Sequence, residues 1–313
     1  MFSGISLFFP KDYKKQEVRF MINYRNSKKL GYLFVIPLCV FVFVFMVYPI
    51  IYNIQNSFHD WNGIEVEKTF IGLQNYIELF RDPIFKTVLK NFALFAVFTV
   101  GVQCVLGLLI ANLFRKKFFG RDIAKAIVFM PAVLSSVIIG QIFFRIMDPN
   151  VGYLNSFFKA VGLDFLAGAW LSDPKTAFFV IIIINIWQWT GYSVTLYYGA
   201  MMGISNDMYE AAKIDGASGF QILKSITIPL VRGTTYNLTI IGVIGALKQY
   251  DLVAVMTAGG PANSTQTFAS YMYQASFGTY RQGYASAIAV VMFIIAMIIT
   301  IIQLRMYNSK TLY

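Results

Sequence analysis

Histidine occurs once in 313 residues and cysteine twice. The one histidine, His59, has Asp60 beside it and no second imidazole, so neither a metal cluster nor a histidine-based triad can be assembled. Cys39 and Cys104 both lie inside apolar runs and give no disulfide framework. Charge is also scarce: 13% of residues are charged against 57% hydrophobic, which removes the chain from the soluble globular class. Acidic residues are the scarcer sign, 15 against 26 Lys and Arg, for a net charge of +11. The basic residues alternate with apolar runs and form no continuous face, which argues against nucleic acid and for a cationic bias at a membrane surface. A phosphate loop is missing as well. The nearest stretch, "GTYRQG" at 278–283, is followed by Tyr284 and Ala285 where Lys and Ser or Thr are needed. No cofactor and no catalytic residue is expected.

What the chain does contain is apolar length. Crossing about 30 Å of hydrocarbon at about 1.5 Å per residue takes roughly 20 mainly apolar residues. Six runs qualify, at about 30–54, 88–114, 124–146, 176–202, 234–257 and 283–306. The predicted fold is an all-α integral membrane protein with six transmembrane helices. The first run starts near Leu30 and no small-residue cleavage pattern follows it, so it reads as a retained anchor. The domain reading is a basic arm over 1–29, a membrane domain over 30–306, and a tail over 307–313. The first twenty residues read as a mobile arm; an amphipathic segment on the membrane and a start at Met21 are the other readings.

Loop charges orient the helices. The arm carries Lys11, Lys14, Lys15, Arg19, Arg25, Lys28 and Lys29, and the loop between runs two and three carries Arg115, Lys116, Lys117, Arg121 and Lys125. Both belong inside the cell. The alternate loops are acidic or nearly uncharged and face outward, so both termini are expected in the cytoplasm.

That orientation places the polar stretch "YEAAKIDGASGFQILKSITIPL", Tyr209 to Leu230, in a cytoplasmic loop of about 203–232. Asp207 stands three residues before Glu210, a capping-box spacing that predicts a short helix through Asp215. Gly216 ends it. Ser218 stands three before Gln221, a second capping box, and Pro229 is expected to end the second helix. Phe220, Leu223 and Ile226 give that helix an apolar face toward the membrane body. Ala211 and Ala212 have little bulk, so a partner can approach the backbone closely and Glu210 can meet a basic group on it.

Glu210, Ala211, Ala212, Gly216, Ile226 and Pro229 resemble, in spacing, the EAA loop of binding-protein-dependent ABC importer permeases. "MPAVLSSVIIGQIFFRIMDPNVGYLN" from Met130, "IWQWTGY" from Ile186 and "YDLVAVMTAGGPANST" from Tyr250 resemble the carbohydrate-uptake branch, in particular the maltose-permease F or glycerol-phosphate-permease A type. The resemblance implies a permease subunit that forms half of a sugar pathway in the bacterial cytoplasmic membrane. It implies four further partners: a second permease, two ATPase subunits and an extracellular sugar-binding protein. Glu210, Ala211, Ala212, Asp215, Gly216 and Pro229 would then couple to the ATPase, and Gly259, Gly260 and Pro261 would reach toward the binding protein. An ordinary exposed loop is the plainer reading of that glycine-proline turn.

An uncharged sugar needs hydrogen-bonding groups and flat apolar faces inside the membrane. The candidates are Trp187, Gln188, Trp189 and Tyr192 on the fourth helix and Lys248, Tyr250 and Asp251 on the fifth. Gln188 and Asp251 are the first choices. Core packing is the competing reading for Trp187 and Trp189. Lys248 and Asp251 are three apart, a spacing that predicts an ion pair on one helix face with Tyr250 pointing elsewhere. An autonomous channel or secondary transporter is the alternative function; it calls for gating charges, broken ion-coordinating helices or an internal repeat, and no repeat is visible. A scaffold that only recruits cytoplasmic proteins would leave the mid-membrane polar residues unexplained.

Overall fold

A computed structural model describes residues 34–308 of the chain. The arm 1–29, its alternative start and residues 309–313 lie outside the described residues. The chain divides into two units, Met1–Gln55 and Asn56–Tyr313. The first contains helix α1 (Phe34–Asn56) except for its last residue. At 23 residues it is about 35 Å long, enough to cross a bilayer core.

The second unit opens with a departure from all-α. Two-residue strands β1 (His59–Asp60) and β2 (Thr69–Phe70) pair antiparallel, His59 opposite Phe70. The Asn75 side chain, from helix α2 (Gln74–Arg81), donates to the carbonyls of Ser57 at 2.9 Å and His59 at 3.0 Å and ties the hairpin down.

Helix α3 (Pro83–Phe114) starts sharply because Asp82 caps it, accepting from the Ile84 N–H at 2.8 Å, and Pro83 needs no hydrogen-bond partner in the first turn. The third apolar run is two helices, α4 (Arg121–Val133) and α5 (Ser136–Ile146), bent by 95° at extended Leu134 and Ser135. Helices α6 (Tyr153–Ala160) and α7 (Ala177–Met202) follow. The polar stretch forms α8 (Asn206–Ile214) and α9 (Gly219–Leu230), and α9 turns by 65° into α10 (Arg232–Leu247). The fifth run therefore does not continue to 257. It breaks at Lys248–Tyr250 and resumes as α11 (Asp251–Met256). Helix α12 (Phe268–Tyr273) and the long α13 (Gln282–Asn308) complete the unit. Among the described residues four helices are long and apolar enough to span a membrane, or six if each bent pair counts once.

Lipid is as apolar as leucine, so packing inside a membrane relies on close contact between helices. Here small residues supply it. A side chain at Gly191 would put its first carbon 2.1 Å from the Val128 carbonyl oxygen, so α7 lies directly on the backbone of α4. Gly107 of α3 meets Ser193 of α7 in the same way, at 2.7 Å. Phe95, Ile139, Phe178, Ile181, Ile184, Leu252 and Val253 form a buried cluster joining α3, α5, α7 and α11.

Candidate functional site: a polar cavity and a helix pair

Where α3, α7 and α10 diverge, a cavity of about 410 Å³ opens. Helix α3 contributes Phe95, Thr99, Val100, Gln103 and Cys104; α7 contributes Asn185, Trp189, Tyr192 and Ser193; α10 contributes Leu238, Ile241, Gly242, Gly245 and Ala246. Ser136, at the start of α5, is also in the wall. Lys248, Gln249, Tyr250 and Asp251 close it.

The break after Leu247 corrects two expectations. Lys248 and Asp251 are not on one helix: Lys248 caps the end of α10, Tyr250 leaves helical geometry at φ −133°, and Asp251 begins α11. No ion pair within 4 Å joins them among the described residues. The same break lets Lys248, Tyr250 and Asp251 all face one cavity, which a continuous helix forbids. The turn is held from a distance, because Thr267 Oγ1 donates to the Gln249 carbonyl at 2.6 Å. Tyr250 in turn sits 5.2 Å from the ring of Tyr273.

Of the other predicted pathway residues, Trp189 and Tyr192 line the cavity, with their rings edge to face at 6.2 Å. Trp187 does not; it packs edge-on against Phe143 at 5.4 Å. Gln188 is also outside the lining. It is 1% exposed, and its Nε2 donates to the Leu134 carbonyl at 3.3 Å and Ser136 Oγ at 3.0 Å. Its amide thus satisfies the backbone freed by the bend between α4 and α5.

The helix pair is built as a protruding unit. Its first cap is Ser205, whose hydroxyl accepts from the Asp207 N–H at 3.2 Å; Asp207 occupies the first turn instead. Gly216 ends α8 at φ +78°, a conformation side chains resist, and the Ala217 N–H reaches the Ala212 carbonyl at 2.9 Å. Ser218 and Gln221 form a complete capping box, with bonds of 3.3 and 2.7 Å. Helix α9 does not stop at Pro229 but runs one residue beyond. Pro229 cannot bond back to the Ser225 carbonyl, and the wider turn at Leu223–Thr227 accommodates its ring. Phe220 is 72% exposed, so only Leu223 and Ile226 of the expected apolar face turn inward. Glu210, Ala211, Asp215, Gly216 and Pro229 are exposed and Ala212 is half-buried. Buried Tyr209 anchors the pair: the Arg115 guanidinium stacks 3.5 Å from its ring centre, and its hydroxyl lies 3.4 Å from Thr227 Oγ1.

The glycine-proline turn is folded in on itself. Gly259 has φ +87°, and a side chain there would meet the Gln266 amide at 2.3 Å. Thr265 Oγ1 donates to the Gly260 carbonyl at 2.8 Å, and Asn91 Nδ2 of α3 donates to the carbonyls of Ser264 and Gln266 at 2.8 and 2.9 Å. Nearby, Asp82 accepts from the hydroxyls of Tyr271 and Tyr284, and Arg281 forms a two-pronged ion pair with Glu78 at 2.7 and 2.6 Å. Burial works to raise the Asp82 pKa, but the two tyrosine hydroxyls and the Ile84 and Phe85 N–H groups together hold it below the usual carboxylate range.

Residues 103–312 match the family model described as binding-protein-dependent transport system inner membrane component. The chain belongs to this family. The permease is 34% identical over 291 residues to the probable ABC transporter permease protein YurN of Bacillus subtilis, covering 92% of this chain and 99% of that protein. It is 32% identical to the trehalose/maltose transport system permease protein MalF of Thermococcus litoralis, covering 91% and 95% of the two chains. Its fold matches a chain of a bacterial ABC transporter involved in the import of the acidic polysaccharide alginate, with a TM-score of 0.81 at 22% identity over 92% of this chain and 98% of that one.

Sequence reasoning passed over several polar residues of the permease cavity. Gln103 Nε2 donates to the backbone and side-chain oxygens of Asn185, both at 3.2 Å, forming one amide patch in the wall. The signal was present: each is an amide deep in an apolar run, "VGVQCV" and "IIIINIW", the criterion that singled out Gln188. Thr99 lies in a widened turn of α3, Ala96–Val100, which no local spacing announces.

Proposed function

We propose that this permease forms half of the membrane path for a sugar or oligosaccharide, delivered outside by a binding protein and moved by ATP hydrolysis on separate subunits. The observation that carries the reading is the cavity itself. It combines amides and hydroxyls from Gln103, Asn185 and Ser193 with the flat rings of Trp189, Tyr192 and Tyr250, the two kinds of surface a sugar ring needs. The name of the trehalose/maltose relative supports the same substrate class.

Glu210, Ala211, Ala212, Asp215, Gly216 and Pro229 present the contact through which two ATPase subunits drive the cycle. A second permease supplies the other half of the path. Gly259, Gly260 and Pro261 shape the outer turn on the side where the binding protein docks. Both termini face the cytoplasm, and the protein resides in a bacterial plasma membrane.

The test is reconstitution of the permease with candidate partner permease, ATPase and binding protein, followed by measurement of sugar-stimulated ATP hydrolysis and uptake. Coupled uptake only in the complete system is expected. Sugar transport by the isolated chain without ATP would overturn the proposal in favour of an autonomous transporter.

A further inference from the structure

A second cavity, of about 500 Å³, lies between the end of α3 and the helix pair. Arg115 and Lys116 follow the last turn of α3, Lys213 comes from α8, and the three converge on it with no acidic residue in the lining. Among the described residues none of the three makes an ion pair within 4 Å, although Glu210 lies one turn from Lys213 on the same helix. Arg115 is fixed in place by its stack on Tyr209. Two helix C-termini face the group, each worth about half a negative charge. Against three full positive charges, that leaves an excess of about two, and an anion fits it.

The remaining wall is apolar. Phe220, 72% exposed, stands with Ile222 and Leu223 beside the cations. Helix α3 has 32 residues and is about 48 Å long, comparable with a bilayer including its headgroups, about 40–45 Å. A helix of that length can carry its end to headgroup depth.

From this juxtaposition we infer that the cavity binds the phosphate of an anionic phospholipid, with Arg115, Lys116 and Lys213 around the phosphate and Phe220 against the glycerol and upper acyl chain. A phosphate with no balancing cation is the recognised chemistry, because a choline ammonium would bring a like charge to three cations, and the apolar wall selects the lipid over a free phosphate ester.

The experiment is native mass spectrometry of the full chain in neutral detergent, titrated with phosphatidylglycerol or with phosphatidylcholine of the same acyl length. One phosphatidylglycerol is expected to be retained, and phosphatidylcholine at least about tenfold more weakly. The double variant Lys116→Gln/Lys213→Gln should lose the preference. Lys117→Gln, which removes the same charge from a residue outside the lining, should keep it, and so should Lys213→Arg, which preserves the charge. Helical circular dichroism and the thermal transition of each variant check folding independently. Equal retention of the two lipids, or an unchanged preference in the double variant, would overturn the site. Displacement of the lipid by millimolar inorganic phosphate would overturn the lipid assignment.

Discussion

The turn at 257–267 and the helix pair at 206–230 are both polar interruptions of an apolar chain, rich in glycine and small residues, yet they use those residues in opposite ways. In the turn the polar groups face one another: Thr257 meets Thr265 at 2.8 Å, Ser270 donates to Gln266 at 2.6 Å, and Asn91 pins two carbonyls. In the helix pair the backbone is closed by caps, while Glu210 and Asp215 are exposed and make no ion pair among the described residues. A segment whose polar groups mostly bond one another serves as framework, even with the Ser264 hydroxyl buried without a partner among the described residues. One that leaves its charges unpaired at the surface has room for a partner, and composition alone does not separate the two.

The comparison breaks most visibly at the two left-handed glycines. Gly216→Pro forces a φ near −65° onto a residue at +78°. Coupled uptake in the reconstituted system should fall at least about tenfold, with membrane insertion unchanged; Glu210→Lys should act in the same direction. Unaltered coupling in both would remove the helix pair from energy transfer. Gly259→Ala drives a methyl into Gln266 and should cost about 2–3 kcal/mol of stability, read as a lowered thermal transition in detergent. The turn's defect should appear in stability, the helix pair's in coupling.

Within the cavity, Trp189→Ala removes a ring from the wall. An aromatic contact is worth about 0.5–1.5 kcal/mol, so the apparent substrate affinity of uptake should weaken by a factor of about 2–10. Trp187→Phe, which keeps the edge contact to Phe143, should leave uptake unchanged. Equal effects of the two would dissolve the distinction between lining and packing.

The smallest effect is expected at the Asp82 brace. Asp82→Asn keeps one acceptor for Tyr271 and Tyr284 and should lower stability by about 1 kcal/mol near neutral pH. Because the carboxyl pKa is depressed in the folded chain, its contribution is complete above the ordinary value of 3.8 and is lost as pH falls below that, through the folded value. Thermal melts of parent and variant should therefore differ by a constant amount from pH 5 to 8 and converge in acid.

Hydropathy located the long helices because length and apolarity are properties of a run, and Ser218 with Gln221 announced a cap because the bond is local. The breaks were not legible in that way. "GALKQYDLV" contains no proline or glycine at its turn, and the chain bends there because Thr267, eighteen residues on, takes up the Gln249 carbonyl. The cavity wall at 248–251 depends on that distant bond, so a continuous-helix reading put Tyr250 on the wrong side of Lys248 and Asp251. Asp207 and Glu210 had the spacing of a capping box, but Ser205, one residue ahead of the helix, had the hydroxyl in place. Gln188, a first choice for the pathway, is buried but outside the lining: its amide holds the Ser136 hydroxyl and the Leu134 carbonyl, and no pattern of side chains reveals that backbone partner.

That partner has a mechanical consequence. A hinge needs backbone groups free to exchange partners as it opens, and at the 95° corner between α4 and α5 the Leu134 carbonyl and the Ser136 hydroxyl are already held by one amide from α7. The corner is a bracket. It ties the position of α5 to that of α7.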